Sequence, residues 1–250
     1  MTVGPTMGRV RVAAIADIHG NLTALEAVIA DLAHAGVTDV VCLGDVAATG
    51  PQPHQTVTRL RVLGCPVVMG NTDCAALRPL RVQPRDEEGR RFMAIDQWCD
   101  AQLTPEDLAY MRTFQPTVGV PLGPDATLLC FHGSPRDNTE GIVATTPDPM
   151  LGQMLAGRDA AVLACGHTHA PFVRRYRQGL LLNPGSAGLP YELAEDGVRN
   201  PPWAEYGIVD WHAGAVSIEL RRVPIDAVTV VRTALASGMP HAEWWASGWR

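Results

Sequence analysis

An α/β fold built on mixed strands is what this sequence predicts, and three observations predict it. Short apolar runs alternate with helical patterns through the first half, the form that parallel βαβ units take. Two hairpin-like pairs follow in the second half, so the strands run parallel early and antiparallel late. The 250 residues are enough to bury one sizeable core, which makes a single domain over 1–250 the default.

Taken in order, VRVAAIAD (10–17) reads as a buried strand and LTALEAVIADLAHAG (22–36) as an amphipathic helix closed by Gly36. TDVVCLGD (38–45) is a second strand, HQTVTRLRVLG (54–64) a second helix and CPVVMGN (65–71) a third strand. From 74 to 116 the pattern changes to an arginine-rich polar stretch, the helical EGRRFMAIDQWCDAQL and a Thr104-Pro105-Glu106 helix start. This segment is expected to be a helical insertion or cap. TLLCFHGS (127–134) and AAVLACGH (160–167) return to strand character. FVRRYRQGLLLNPGS (172–186) reads as a hairpin turning at Gln178-Gly179, and YGIVDWHAGAVSIELRRV (206–223) as another turning at Ala213-Gly214. The tail HAEWWASGWR holds three of the six tryptophans and is expected to dock on the domain or to meet a second copy in a homo-oligomer.

Hydrophobic residues make up 46% of the chain and charged residues 18%, the balance of a soluble globular protein. With a net charge of −6 and no run of lysine or arginine, stable binding of a nucleic-acid polymer is not expected. An acidic chain can still take a phosphorylated substrate where bound metal reverses the local sign. The six cysteines form no C-x-x-C pair, no signal-peptide core opens the chain and no run approaches a membrane span, so a cytoplasmic setting without membrane contact is expected.

The strand ends carry the chemistry. Asp17-Ile18-His19 follows the first, Gly44-Asp45 the second, Gly70-Asn71 the third, Phe131-His132-Gly133 the fourth and Gly166-His167-Thr168-His169 the fifth. Ligands of open α/β sheets bind at the carboxyl ends of strands, so these loops are expected to converge. Two Asp, one Asn and four His are too many donors for one zinc ion and suit two adjacent divalent metals sharing a bridge. Residues two apart on extended backbone point the same way, so Asp17 with His19, and His167 with His169, are each expected to reach one site from one segment. Any one of these histidines alone reads as an ordinary loop residue; only the ordered set points to metal.

That set, D-x-H, G-D, G-N, H-G and G-H-x-H, resembles the calcineurin-like metallophosphoesterase superfamily over roughly residues 11 to 190. DIHGN (17–21), LGDVAATGPQP (43–53), GNTD (70–73), HGSP (132–135), GHTH (166–169) and NPGSAGLP (183–190) look like its bacterial branch related to diadenosine tetraphosphatases and small phosphodiesterases. The resemblance implies a four-layer α-β-β-α sandwich of two mixed sheets flanked by helices. It implies two divalent ions, one held by Asp17, His19 and His169, the other by Asn71, His132 and His167, with Asp45 as the bridge. Manganese, iron, zinc, cobalt or nickel all suit these nitrogen and oxygen donors. It also implies hydrolysis through a metal-bridging hydroxide, with Asp45, Asn71 and His132 serving the held hydroxide and phosphate.

Thr72 departs from the pattern, because it stands where many phosphomonoesterases of the superfamily carry a histidine that protonates the leaving oxygen. A threonine cannot act as a general acid near pH 7, which favours a phosphodiester or a nucleotide phosphoanhydride in a small phosphorylated or nucleotide substrate. Asn21, Asn71, Arg136 and His54 are the candidate substrate contacts. Arg78, Arg81, Arg85, Arg90 and Arg91, interrupted by Asp86, Glu87 and Glu88, read as a solvated face. Asn183-Pro184-Gly185-Ser186 reads as a turn buttressing the site. A phosphomonoesterase or protein phosphatase is the alternative activity, and a non-catalytic protein-interaction scaffold the alternative class.

Overall fold

The computed structural model describes residues 8–78, 84–195 and 197–249; Arg81 and the N-terminal residues 1–7 lie outside the described residues. In chain order the elements are β1 (Val10–Ile15), α1 (Leu22–Ala35), β2 (Asp39–Cys42), α2 (Pro53–Leu63), α3 (Asn71–Leu77), α4 (Glu87–Gln102), α5 (Pro105–Met111), β3 (Thr117–Gly123) and β4 (Ala126–Phe131). They continue as α6 (Asp148–Met154), β5 (Val162–Ala164), β6 (Phe172–Tyr176), β7 (Gly179–Asn183), β8 (Glu192–Ala194), β9 (Gly197–Arg199), β10 (Trp203–His212), β11 (Ala215–Pro224), α7 (Ala227–Ala236) and α8 (Ala242–Ala246).

The described strands form a four-stranded sheet in the order β11-β10-β1-β2, a five-stranded sheet in the order β3-β4-β5-β7-β6 and the small β8-β9 hairpin. Both large sheets are mixed, with β1-β2, β4-β5 and β5-β7 parallel and the remaining pairs antiparallel. The two-residue period of each strand assigns the layers. Val12 and Ala14 of β1 share an apolar cluster between the sheets with Leu128 and Cys130 of β4 and with Val162 and Ala164 of β5. Ala13 and Ile15 point the other way, into a core with Leu25, Val28 and Leu32 of α1. On the second sheet Phe131, Leu163 and Leu181 turn outward onto Leu151 and Met154 of α6. Helices thus cover both outer faces, and the architecture is the four-layer α-β-β-α sandwich.

Local chemistry sets the helix ends. The Asn21 side chain accepts the Ala24 N–H and Gly36 closes α1 in the left-handed conformation. Pro53 opens α2, and Thr104 with Asp107 forms a capping box on α5. The 74–116 segment supplies α4 and α5, whose Ile95, Cys99 and Met111 are buried in the same core as α1. At the tail, Trp245 and Trp249 are buried in that core too, and Trp245 Nε1 donates to Thr49 O at 2.8 Å.

The third expected strand needs correction. Residues 65–71 pair only through single bridges, Val67 to Cys42 and Val68 to Gln115, and the chain turns into α3 at Asn71. The cause is Asp73, whose carboxylate accepts the Gly70 N–H at 3.1 Å and so starts a helix where the apolar run suggested more strand. Among the described residues, no helix is long and apolar enough to cross a membrane.

Candidate metal centre

The loops after β1, β2, β4 and β5, with the start of α3, meet at one edge of the sandwich. Asp17, His19, Asp45, His167 and His169 have φ of 55°, 48°, 55°, 68° and 52°. Left-handed backbone costs a residue with a Cβ roughly 1–3 kcal/mol, although Asp and His tolerate it better than most. These values correct the expectation of extended backbone. Asp17 and His19 reach one place because the chain curls, and the curl at His167 and His169 sends that pair to two different places.

Hydrogen bonds lace the curled loops together. The Asp17 N–H donates to Gly44 O and the His19 N–H to Asp45 O, both at 3.0 Å. Asp73 Oδ2 accepts the Asp45 N–H at 2.8 Å and its Oδ1 the Val46 N–H at 2.9 Å. From the second sheet, Ser186 Oγ donates to Asp17 O at 2.7 Å and Asn183 Nδ2 to Gly166 O at 2.9 Å. The NPGS turn therefore does brace the strand-end loops.

Two groups of donors result, Asp17 with His19 and His169, and Asp45 with His132 and His167, each with ligand atoms within 4.8 Å of one another. Asp45 reaches toward both, its Oδ2 lying 3.4 Å from His132 Nε2 and 3.9 Å from His19 Nε2. Its Oδ1 accepts the Thr72 N–H at 3.0 Å.

Whether a cation fits can be judged from the lone pairs. His19, His132 and His169 each place Nδ1 against a backbone carbonyl, Ala48 O at 3.1 Å, Leu43 O at 2.7 Å and Leu189 O at 2.8 Å. A carbonyl only accepts, so each Nδ1 carries a proton, and a ring that is neutral presents Nε2 as a lone pair. His19 Nε2 and His169 Nε2 then face each other at 3.1 Å. Burial lowers both imidazoles, His169 to about 3, so neither donates. Asn71 differs, because turning its amide satisfies its neighbours without a cation. Turned over, its amide would donate to His132 Nε2 at 2.9 Å, His167 Nδ1 at 2.8 Å and Asp45 Oδ2 at 3.3 Å; as placed, its oxygen faces those three atoms instead. The opposed lone pairs of His19 and His169 repel unless a cation lies between them, so that donor group fits a divalent metal.

A family model for the calcineurin-like phosphoesterase superfamily domain matches residues 10–210. The chain belongs to the calcineurin-like phosphoesterase superfamily. An uncharacterized protein of Methanocaldococcus jannaschii is 27% identical to it over 248 residues, 93% of this chain and 94% of the relative. The crystal structure of a metallophosphoesterase from Sphaerobacter thermophilus is 27% identical, with a TM-score of 0.72 over 95% of this chain and 97% of that one. A hypothetical protein from Pyrococcus horikoshii OT3 is 18% identical with a TM-score of 0.75 over 95% and 96% of the two chains, a likeness of fold alone.

In this calcineurin-like phosphoesterase, burial pushes the Asp17 carboxyl up to about 8. Burial alone would raise Asp45 as well, but His132 and His19 beside it hold its carboxyl far below the usual range. In return, against the effect of its own burial, Asp45 lifts His132 to about 10.

Of the four candidate substrate contacts, only Asn71 lies among the donor groups. Asn21 is buried and spent on structure, its Nδ2 donating to Gly188 O at 2.8 Å while its Oδ1 caps α1. Arg136 pairs with Glu140 on the surface. His54 donates from Nδ1 to the buried Asp107 at 2.6 Å and lines a separate surface depression with Trp98 and Arg232. Arg90 and Arg91 pair with Glu87 on the exposed face of α4. The Thr72 hydroxyl is buried with no hydrogen-bond partner.

Two acidic residues behind the site escaped sequence reasoning. Asp73 was legible in principle, since it closes the Gly-Asn-Thr-Asp run. Asp96 carried no signal, being one polar position on the α4 pattern; its Oδ1 accepts from Thr49 Oγ1 at 2.8 Å, beside the loop that holds His19.

Proposed function

We propose that this protein hydrolyses a phosphodiester or nucleotide phosphoanhydride at a two-metal centre. The observation that carries the reading is the pair of donor groups meeting at Asp45, with the neutral His19 and His169 rings opposing their Nε2 atoms at 3.1 Å in one of them. Asp17, His19 and His169 would hold one divalent ion; Asn71, His132 and His167 would hold the other, and Asp45 would serve both. Two such ions lower the pKa of a shared water and offset the charge of phosphate oxygens. Manganese, iron, zinc, cobalt and nickel fit the donors equally.

The chain's own residues then set the selectivity. The Thr72 N–H fixes one oxygen of Asp45 and leaves the other directed at the two groups. Carbonyls of Leu43, Ala48 and Leu189 hold three imidazoles in the tautomer that accepts at Nε2. The Thr72 hydroxyl keeps its proton near pH 7, so no acid at that position assists departure of a poor leaving group. Aryl diesters and anhydrides, whose leaving groups need little help, suit such a site. A net charge of −6 favours a small phosphorylated or nucleotide substrate over a nucleic-acid polymer. All six cysteines are free and four are buried, which fits a reducing, cytoplasmic setting.

The test is initial-rate hydrolysis of matched p-nitrophenyl mono- and diesters by metal-stripped protein reconstituted with manganese. Faster turnover of the diester is expected. A monoester preference would show that another group supplies the proton, and no turnover of either with two ions bound would favour a non-catalytic scaffold.

A further inference from the structure

The metal centre does not account for the aromatic side chains gathered beside it. A cavity of about 850 Å³ opens on His167 and His169, one from each donor group. Its size lies within the few hundred to 1,000 Å³ typical of small-molecule sites. Phe92 of α4, Trp244 of α8 and Tyr191, just before β8, contribute aromatic surface to its lining, and Glu88 adds a carboxylate. Three separate segments therefore bring rings to one cleft adjoining the metal donors.

The rings are arranged with their partners defined. Phe92 and Trp244 meet edge to face at 5.0 Å and 75°, and the Arg91 guanidinium lies 5.4 Å from the Trp244 ring centre. The Tyr191 ring is 6.2 Å from that of His169, so the cleft is continuous with the donor groups. Trp244 and Trp245 both line the cavity, and Trp245, largely buried, is held by Thr49 O. Tyr191 is 41% exposed, and on the adjoining hairpin Val198 is 57% exposed, leaving apolar surface at the cleft that a bound group would cover.

We infer that this cleft is a nucleobase site, taking the base of the ester or anhydride whose phosphate lies at the metal centre. The inference rests on the phosphoesterase reading above and names its substrate class. Aromatic side chains stack on the π face of a planar base. An acceptor such as Glu88 suits the amino edge of a base and disfavours a purely apolar occupant.

Calorimetric titration of the full chain tests it, using adenosine on the metal-free protein, then adenosine 5′-monophosphate against ribose 5-phosphate on the manganese-loaded protein. Adenosine is expected to bind, and the monophosphate to bind about tenfold or more tighter than ribose 5-phosphate. Trp244→Ala and Tyr191→Ala should each reduce that preference, while Trp244→Phe, which keeps a ring, should retain most of it. Circular dichroism confirms that each variant is folded. Equal affinity for the two phosphates in the native chain, or a preference that survives both alanine variants, overturns the inference. Hydrolysis of bis-p-nitrophenyl phosphate without a base preference removes the base site and leaves the phosphoesterase reading standing. A base preference without hydrolysis of any diester or anhydride supports the base site and removes that reading.

Discussion

Asp45 is the residue at which the two donor groups meet, and its neighbours explain why it is hard to replace. One oxygen accepts the Thr72 N–H, the other faces His132 and His19, and Asp73 holds its backbone from behind. Asp45→Asn keeps the shape and removes the charge. Turnover should fall by at least about a hundredfold, with metal content dropping below two ions per chain by elemental analysis and the circular dichroism spectrum unchanged. Protons report on the same groups. In the metal-free protein Asp17 at about 8 and His132 at about 10 both carry a proton at pH 7, and metal must displace it. Metal loading at pH 7 should release about one to two protons, measured by calorimetry in buffers of different ionisation enthalpy, and affinity should weaken from pH 8 to pH 6. Asp96 makes a separate case. Burial raises it from 3.8 to about 6, so its contribution to stability is present below the unfolded value and lost as pH rises through 6. Asp96→Asn should therefore stabilise the metal-free fold by about 1–2 kcal/mol at pH 8 and change little at pH 4, as read from urea melts at the two pH values.

At the level of elements, the site depends on loops that approach more closely than side chains allow. A Cβ on Gly188 would lie 1.7 Å from Ile18 O, and one on Gly70 would lie 2.1 Å from Asp45 Oδ1. Gly188→Ala should push the 17–19 loop away from its partners. The expected cost is about 1–3 kcal/mol in denaturant melts, with weaker metal binding in a direct titration. Loop shape was also where sequence reading stopped short. The strands and α1 were legible because alternation and helical periodicity are local, and Asn21 and Gly36 mark the ends of α1 chemically. The conversion of 65–71 into two bridges and a helix start was not, because it depends on the Asp73 carboxylate turning back on Gly70 and on Asp45. β3 and α6 went unread for a related reason: β3 carries Gly119 and Pro121 within its span, and α6 is a short helix of seven residues opened by Pro147.

Across the whole molecule, five donors in left-handed backbone and the opposed lone pairs of His19 and His169 at the shared edge of two sheets make the metal-free state costly. Cations binding only the folded chain should stabilise it, by about 2.7 kcal/mol at a hundredfold excess over Kd. Tm should accordingly rise by about 5–10 °C with manganese and fall back with chelator; a Tm indifferent to both would count against the centre. Read alone, the sequence determined the α/β class, the order of the donor residues and their place at strand ends, because residue chemistry and short-range periodicity are properties of the chain itself. Tertiary structure alone decided that a left-handed curl is what parts His167 from His169, that Asn21, His54 and Arg136 are engaged away from the donors, and that Phe92, Tyr191 and Trp244 line one cleft. Each of these depends on contacts between segments distant in sequence and on backbone curvature, neither of which leaves a mark in local spacing.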